Sequence, residues 1–388
     1  MRADVDTGEL VALTQALVAV DTRNPPGNER AVAGVCRQAL APYGATVTEV
    51  EPADGRLSLL ASVAHPDGAA ARPTLIVNGH LDVVPVQADF WSRPPFDPVV
   101  SEGRLYGRGS ADMKGGIAAA ICALGALARS GRVAGCDVVF HLVADEERGG
   151  TLGTRVLAER GLIRGDACLV PEPTSLSVCI AERGLLVADV IIRGRPGHGS
   201  RPREGVSAIE HAASVVLALH AADFGDQPHH LLGTPTANVG EIRGGSGHNT
   251  VAESCEVVVD RRLLPGASEE DAVAGLRRRI EASGVNGLDY DLEVRVYGEA
   301  SELDAAHPFV GQVRRAVGMA TGEEPPVIGM SFTTDARFVR NQAGIPAVVC
   351  GPGDVELAHG NDEWVSVDRL VAATAAYAEL YASYGAEG

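Results

Sequence analysis

The sequence predicts an α/β protein in which a domain with a mainly parallel central sheet is interrupted by a smaller inserted domain. Strand-like and helix-like segments alternate through the first 170 residues, which is typical of a mainly parallel sheet. From about Val178 the order becomes β-α-β-β-α-β, the order of a ferredoxin-like unit, and from about Pro308 the first pattern returns. We therefore expect a discontinuous domain, residues 1–178 and 295–388, split by an inserted domain of residues 179–294.

The elements of the first domain follow from short apolar runs. We expect a helix from about residue 6, an extended stretch over 45–51, strands over 74–78 and 138–143, and an alanine-rich helix over 113–130. The runs TLIVN and VVFHLV are mostly apolar, which indicates strands covered on both faces. Open α/β sheets bind ligands at the carboxyl ends of such strands, so the residues that follow these runs are candidates for a site.

In the inserted domain, strands are expected over 185–194, 236–245 and 254–263, and helices over 206–219 and 268–283. The linkers to this domain are expected near 177–183 and 292–300. The last part of the chain contains a helix, the apolar strand IPAVVCG and a terminal helix.

Composition excludes several classes of function. The 388 residues, 45% hydrophobic and 22% charged, are typical of a globular chain, and 51 acidic against 33 basic residues give a formal charge of −18. That charge disfavours nucleic acid and anionic membrane as partners. The acidic amino-terminal segment does not resemble a secretory signal, and seven scattered cysteines without a C-x-x-C pair fit buried thiols in a reducing compartment. We therefore expect a cytoplasmic protein.

Two motifs follow the first of these strands. In GHLDVVP, His80 and Asp82 lie two apart, so in an extended chain Asp82 can accept the second ring N–H of His80 and leave the other nitrogen for a metal. The alternative is a polar turn at a strand end. In GRGSADMKGG, Asp112 precedes a helix, where it is either an N-cap or a carboxylate that offers one oxygen to each of two cations.

Three further motifs carry acids or histidine. ADEERGG places Glu146 and Glu147 at a strand end, where neighbouring acids repel each other unless a cation or a proton is present. Glu172 lies between two prolines in VPEPTS, and His359 follows the Gly-Pro-Gly turn of GPGDVELAHGNDEWV. Taken singly, each motif has a simpler alternative. These are a solvated acidic loop for Glu146 and Glu147, a surface turn for Glu172 and a solvated side chain for His359.

Together the five motifs indicate a two-metal site. They place two histidines and three carboxylates at strand ends of one α/β domain, and two divalent ions need a bridging carboxylate, terminal ligands on each ion and a water molecule to activate. A cation pair also accounts for acids that would otherwise repel each other.

The order of these motifs resembles a known family. G-H-x-D-V-V-P, W-x-x-x-P-F-x-P, G-R-G-S-x-D-M-K-G-G, D-E-E, E-P-T and A-H-x-x-D-E, spread from about residue 8 to residue 380, are similar to the dinuclear zinc amidohydrolases and metallopeptidases. That family includes acetylornithine deacetylase, succinyl-diaminopimelate desuccinylase, aminoacylase and glutamate carboxypeptidase. The resemblance implies two divalent ions, zinc with cobalt as the alternative, and a cis peptide after Asp112. It implies the following roles: His80, Asp112 and Glu172 on one ion, Asp112, Glu147 and His359 on the other, Glu146 as general base and Asp82 behind His80.

The inserted domain resembles the lid and dimerisation domain of that family, which implies a homodimer. His198, in RGRPGHGSRP, matches a histidine that stabilises the oxyanion in the partner's site. Asn249 and Arg262 match positions that bind the substrate carboxylate or the transition state, with Arg261 as the alternative to Arg262.

The resemblance implies hydrolysis of the amide bond of an N-acyl amino acid or a short peptide. An acetylornithine-deacetylase-like activity comes first because GPGDVELAH-x-x-DEW is most similar to that branch. The alternatives are a desuccinylase, a carboxypeptidase or dipeptidase, and amide hydrolysis in a specialised biosynthetic pathway. A non-catalytic scaffold would be expected to lack Glu146 or a ligand. The sequence departs from the common pattern at Pro171, after Asn249 and in the loop GMSFTTDAR before Asp335, and the last change leaves the accepted side chain open.

Overall fold

A computed structural model describes residues 2–66 and 72–386. The chain forms two compact units. The first contains the described residues up to Ile180, then Leu303–Ile328, then those from Thr334 onward, and the second contains Ala181–Glu302 and Gly329–Thr333. The larger unit is therefore discontinuous in sequence.

The described residues form sixteen strands. They are β1 (Thr46–Ala53), β2 (Arg56–Val63), β3 (Thr74–His80), β4 (Val99–Ser101), β5 (Arg104–Tyr106), β6 (Asp137–Val143), β7 (Ala167–Pro173), β8 (Val178–Glu182), β9 (Gly184–Arg193), β10 (Thr236–Gly244), β11 (Ser254–Leu263), β12 (Asp289–Gly298), β13 (Ser301–Glu302), β14 (Val327–Met330), β15 (Ala347–Gly351) and β16 (Trp364–Ser366).

The α-helices number nine in the same part of the chain. They are α1 (Thr7–Val18), α2 (Glu29–Leu40), α3 (Gly115–Arg129), α4 (Thr154–Glu159), α5 (Ala208–Leu219), α6 (Glu269–Glu281), α7 (Pro308–Thr321), α8 (Ala336–Asn341) and α9 (Val367–Ser383).

The sheet of the first unit has the order β1-β2-β6-β3-β7-β15-β8. Its four central strands, β6, β3, β7 and β15, are parallel, and the strands outside them run antiparallel. The prediction of an α/β fold with a mainly parallel central sheet is confirmed. A separate three-stranded sheet joins β4, β5 and β16.

Helix α3 is the core helix of this unit. Its residues Gly115 to Leu127 are all buried, and Tyr381 of α9 donates a hydrogen bond of 3.0 Å to the carbonyl of Ala120. The segment Ser110–Arg129 is long and apolar enough to cross a membrane, but 94% of its most apolar window is buried inside the protein. This is the pattern of a helix in the middle of a globular core.

Glycine at the start of α3 lets the helix approach β7 closely. A Cβ atom on Gly116 would lie 2.2 Å from the carbonyl oxygen of Pro171, much closer than van der Waals contact. The glycine pair of DMKGG therefore brings the segment that contains Asp112 beside the strand that contains Glu172.

The second unit is a four-stranded antiparallel sheet of order β10-β11-β9-β12 with helices α5 and α6. The helices cover one face with a core that includes Val190, Val257, Val215 and Leu276. This element order and sheet order are those of the predicted ferredoxin-like unit.

The chain enters and leaves the second unit at neighbouring points. Strand β8 leads into it and β13 leads out, and the two pair with Ser301 opposite Glu182 and Glu302 opposite Ala181. The boundary expected at residue 294 falls inside β12, because the alternating pattern of that strand continues to Gly298. Gly329–Thr333 also belongs to the second unit. The sequence pattern did not predict that the chain comes back to this unit after Glu302.

Candidate metal centre

His80 is the last residue of β3 and is buried. Its Nδ1 lies 2.9 Å from the main-chain carbonyl oxygen of Asp82, whereas the carboxylate that was predicted to accept this N–H is 3.7 Å away. The predicted partner residue is therefore the right one, but the accepting group is its carbonyl. Because a carbonyl can only accept, Nδ1 carries a proton, which leaves Nε2 as the nitrogen that could bind a metal. The carboxylates that face Nε2 raise the pKa of His80 well above its ordinary value, so without a cation Nε2 also holds a proton.

The carboxylate of Asp82 holds the turn that follows β6. It accepts hydrogen bonds from the N–H groups of Glu146 (3.2 Å) and Glu147 (3.3 Å), and from Nδ2 of Asn24 (2.8 Å). Asp82 thus positions the predicted base and one predicted ligand as well as the His80 ring.

Asp112 offers its two oxygens to two different histidines. It lies in the turn Ser110–Lys114 before α3, with φ −126° and ψ 96°, and its peptide bond to Met113 is cis. Oδ1 is 3.0 Å from Nε2 of His80, and Oδ2 is 3.3 Å from Nε2 of His359. This is the arrangement expected of a carboxylate that bridges two ions.

Two glutamates complete the predicted ligand sets. Oε1 of Glu172, on β7, is 3.4 Å from Nε2 of His80, and Oε2 of Glu147 is 3.1 Å from Nε2 of His359. The potential ligand atoms of each trio, His80 with Asp112 and Glu172, and Asp112 with Glu147 and His359, all lie within 4.8 Å of one another. The structure therefore brings together all five predicted ligands in two groups that share Asp112.

The protonation of this cluster reflects its excess of acids. Burial, together with repulsion from Asp112, raises the pKa of Glu172 to about 8 and also raises the pKa of Glu147. Burial raises the pKa of Glu146 well above its ordinary value, with Glu172 among the neighbours that add to the effect. Hydrogen bonds to Asp112 and Glu147 raise the pKa of His359 to about 11. Histidine protons therefore supply positive charge that divalent cations could supply instead.

The donor set fits divalent cations such as zinc. It consists of imidazole nitrogen and carboxylate oxygen, which zinc accepts readily. The Oε1 atom of Glu147 is buried and has no hydrogen-bond partner among the described residues. A buried carboxylate oxygen without a partner is costly, and a cation at this position would satisfy it.

Asp145 belongs to the same acidic run but is in neither group of candidate ligands. Its carboxylate is 3.1 Å from NH1 of Arg56 and accepts hydrogen bonds from Asn24 and from the hydroxyl of Thr151. Neither Asn24 nor Arg56 lies in one of the motifs that predicted the site. Asn24 stands in NPPG, which is only a turn signal, so its contacts with Asp82 and Asp145 become visible only in the fold.

The second unit contains the predicted residues His198 and Asn249. His198 is exposed, and its Nδ1 accepts the N–H of Ser200 at 3.2 Å, so the proton lies on Nε2, which can donate. The N–H of Gly199 donates to the carbonyl of Asn249 at 2.7 Å, which brings these two segments side by side.

Arg261 and Arg262 lie on opposite faces of β11. Arg261 is buried on the helix side, where NH1 donates to the carbonyl of Ala272 at 2.7 Å, so its guanidinium is engaged inside the second unit. Arg262 is on the other face, but its Nε and NH2 are bound by the carboxylate of Asp260 at 3.0 and 3.1 Å. The fork that was predicted to clamp a substrate carboxylate is therefore already engaged in this structure.

A third compact group, His229, His230 and Glu302, is better explained by hydrogen bonds than by a metal. Nδ1 of His229 accepts the N–H groups of Leu231 and Leu232, both at 3.2 Å. Nε2 then carries the proton and donates to Glu302 at 3.0 Å. With both nitrogens used in this way, His229 holds a loop of the second unit.

Comparison with known proteins agrees with the resemblance seen in the motifs. Residues 76–383 match the peptidase family M20/M25/M40. The chain is 30% identical over 373 residues to acetylornithine deacetylase of Proteus mirabilis, covering 92% of this chain and 90% of that one. It is 31% identical over 324 residues to succinyl-diaminopimelate desuccinylase of Methylorubrum extorquens, covering 81% and 83%. Aminopeptidase PepT from Bacillus cereus has the same fold, with a TM-score of 0.82, 22% identity and coverage of 97% and 98%.

The family match covers most of the chain, and it includes every predicted ligand and the predicted base. The predicted family and the prediction of a hydrolytic enzyme are both confirmed. The chain belongs to peptidase family M20/M25/M40.

Proposed function

We propose that this protein hydrolyses the amide bond of an N-acyl amino acid with the help of two divalent metal ions, zinc or, alternatively, cobalt. The observation that supports this most directly is the position of Asp112, whose two oxygens face His80 at 3.0 Å and His359 at 3.3 Å. Glu172 and Glu147 add one carboxylate to each group.

When bound, such ions would lower the pKa of a water molecule and polarise the carbonyl of the scissile amide. Glu146 would take a proton from that water, and the remaining oxygen would attack the carbonyl carbon. When the C–N bond breaks, Glu146 would return the proton to the departing amine nitrogen. Its raised pKa, caused by burial and nearby acids, suits a group that must accept and then donate a proton.

Three residues of the second unit, His198, Asn249 and Arg262, would bind the substrate. The proton on Nε2 of His198 makes this ring a hydrogen-bond donor for the developing oxyanion. Asn249 and Arg262 are proposed to bind the free carboxylate, and Arg262 would have to share or exchange its partner Asp260 to do so.

Among possible substrates, an N-acetyl amino acid of the acetylornithine type comes first. Relatives named acetylornithine deacetylase support it, together with the motif around His359. An N-succinyl substrate is the second candidate, because the desuccinylase relative is equally similar.

We also propose that the protein is a cytoplasmic homodimer joined through the second unit. Strand β10 is an edge of its sheet, and Leu217 of α5 (84% exposed) and Ile242 of β10 (53% exposed) line an apolar groove between the two elements.

The cysteines support the proposed cytoplasmic location. All seven are buried and unpaired, as expected in a reducing compartment.

The test is a deacylation screen with the released amine detected. N-acetyl, N-succinyl and N-formyl amino acids and dipeptides should be compared, and we expect the highest kcat/KM for an N-acetyl amino acid.

Glu146→Gln should lower kcat by about 10²–10⁴-fold while two metal ions per chain remain, because it removes the proton acceptor and no ligand. Glu159→Gln, on the exposed side of α4, is the matched control. Near-normal turnover of Glu146→Gln would show that another residue is the base.

A further inference from the structure

A buried carboxylate, Glu363, lies behind the candidate metal centre, four residues after His359 and directly before β16. Its side chain has no exposed surface, and burying a carboxylate is costly unless opposite charge and hydrogen bonds offset the loss of water. NH1 of Arg108 donates to its Oε2 at 2.7 Å.

Its other partners are main-chain groups of the segment that leads to Asp112. Oε2 also accepts the N–H of Gly109 at 3.0 Å, and Oε1 accepts the N–H groups of Ala111 (2.8 Å) and Asp112 (3.1 Å). The backbone at Asp112 is not helical, so these N–H groups need an acceptor outside the turn. Glu363 provides it, with two donors on each oxygen.

The same pair of side chains also reaches the segment of His359. NH2 of Arg108 donates to the carbonyl of His359 at 3.3 Å, and the N–H of Gly107 donates to the carbonyl of Glu363 at 2.9 Å. Strands β5 and β16 extend this connection through the pairing of Tyr106 with Trp364. Two candidate ligands far apart in sequence are thereby fixed to one another through their main chains.

We propose that Glu363 is a positioning residue that orients Asp112 so that its two oxygens face His80 and His359. The contacts of its carboxylate are with Arg108 and three N–H groups, so it acts on the metals through Asp112. This inference rests on the proposed two-metal function and adds a requirement to it: the spacing of the two ion sites depends on a carboxylate that binds neither ion.

The test is metal binding by Glu363→Gln and Glu363→Asp, measured with Co²⁺ added to metal-free protein. The glutamine would place an NH₂ donor against N–H donors, and the aspartate keeps the charge but is too short to reach both sets of partners. We expect both variants to bind Co²⁺ about 10–100-fold more weakly, as is typical when a group behind a metal ligand is removed. The visible absorption of bound Co²⁺ should also change, because it depends on coordination geometry.

Glu379→Gln is the matched control. Glu379 is a mostly buried carboxylate on α9, bound by NH1 and NH2 of Arg132, so its replacement also breaks an arginine pair. It should lower thermal stability without changing the affinity or the spectrum of Co²⁺. A purely structural role of Glu363 would give the same result as this control.

Each outcome shows whether Glu363 orients Asp112 or only stabilises the fold. Wild-type affinity and spectrum in either folded Glu363 variant would overturn the inference, even if turnover fell. It would also fail if both variants unfolded while Glu379→Gln stayed folded, because Glu363 would then be needed for stability alone. Wild-type protein that bound no Co²⁺ would instead refute the proposed function itself.

Discussion

At the scale of single residues, the buried histidines His80 and His141 differ in the hydrogen-bond partner of Nδ1. His80 donates Nδ1–H to the carbonyl of Asp82, which prepares Nε2 for a metal. His141 lies in β6 and is equally buried, but its Nδ1 has no hydrogen-bond partner among the described residues. Burial lowers the pKa of His141 to about 4, so this ring is neutral in the folded protein.

This makes His141 a source of acid sensitivity. Below the ordinary histidine pKa of about 6.5, His141 is protonated in the unfolded chain, whereas in the folded chain it stays neutral until about pH 4. The free energy of unfolding should therefore fall by about 3 kcal/mol between these two values. His141→Gln should lack this component, as measured by urea unfolding at several pH values with chelator present.

The range from pH 7 to 8.5 is the internal control, because His141 is neutral there in both states. The difference in stability between wild type and His141→Gln should be constant over that range. A difference that also stayed constant down to pH 4.5 would contradict the assignment.

At the scale of elements, close approach between α3 and β7 places one ligand beside another. Gly116→Ala would put a Cβ 2.2 Å from the carbonyl oxygen of Pro171, next to Glu172. We expect a loss of about 1–3 kcal/mol in the free energy of unfolding, measured by urea titration, because the helix must move away from the strand. The affinity for metal should fall as well, since Asp112 and Glu172 move apart.

Gly34→Ala is the control for this substitution. Gly34 lies within α2, and no atom comes within 4 Å of its Cβ position. Alanine there should stabilise the protein by about 0.5–1 kcal/mol, because it favours the helix and meets no clash. Equal effects of the two substitutions would mean that the α3–β7 contact does not limit packing.

Most elements could be predicted because their signals are local. The runs that predicted strands over 74–78 and 138–143 correspond to β3 and β6, and the helix expected from about residue 6 is α1, which Asp6 caps. The ligands could be predicted because each lies in a short motif near the end of a strand or before a helix. Glu363 and Asn24 were not assigned roles, since each acts on residues far away in sequence and only the folded sheet brings them together.

At the scale of the whole molecule, bound metal should contribute to stability. The cluster holds Asp112, Glu146, Glu147 and Glu172 close together, and any ion that binds only the folded state stabilises it by mass action. Removing metal with a chelator should lower Tm by several degrees, and added zinc should restore it. Asp112→Asn should have a Tm that no longer responds to either treatment. A wild-type Tm that did not change with chelator would contradict a resident ion pair.

The proposed dimer can be tested on the same scale. Leu217→Glu places a charge in the apolar groove between α5 and β10, and it should convert a dimer into a monomer in light-scattering measurements of molar mass. Met319→Glu, which changes a comparably exposed side chain on α7 (71% exposed), should leave the dimer intact. Wild-type protein with the mass of a single chain would contradict dimerisation.

The pairing of β8 with β13 has a consequence for the topology of the chain. Because Ala181 lies opposite Glu302, the long excursion between them begins and ends at adjacent positions. The segment between them therefore connects β8 and β13 as the loop of a hairpin would. The entropic cost of closing such a loop grows only slowly with its length. The excursion could therefore be shortened to a tight turn, or exchanged for that of a relative, without altering the strands that hold the metal ligands.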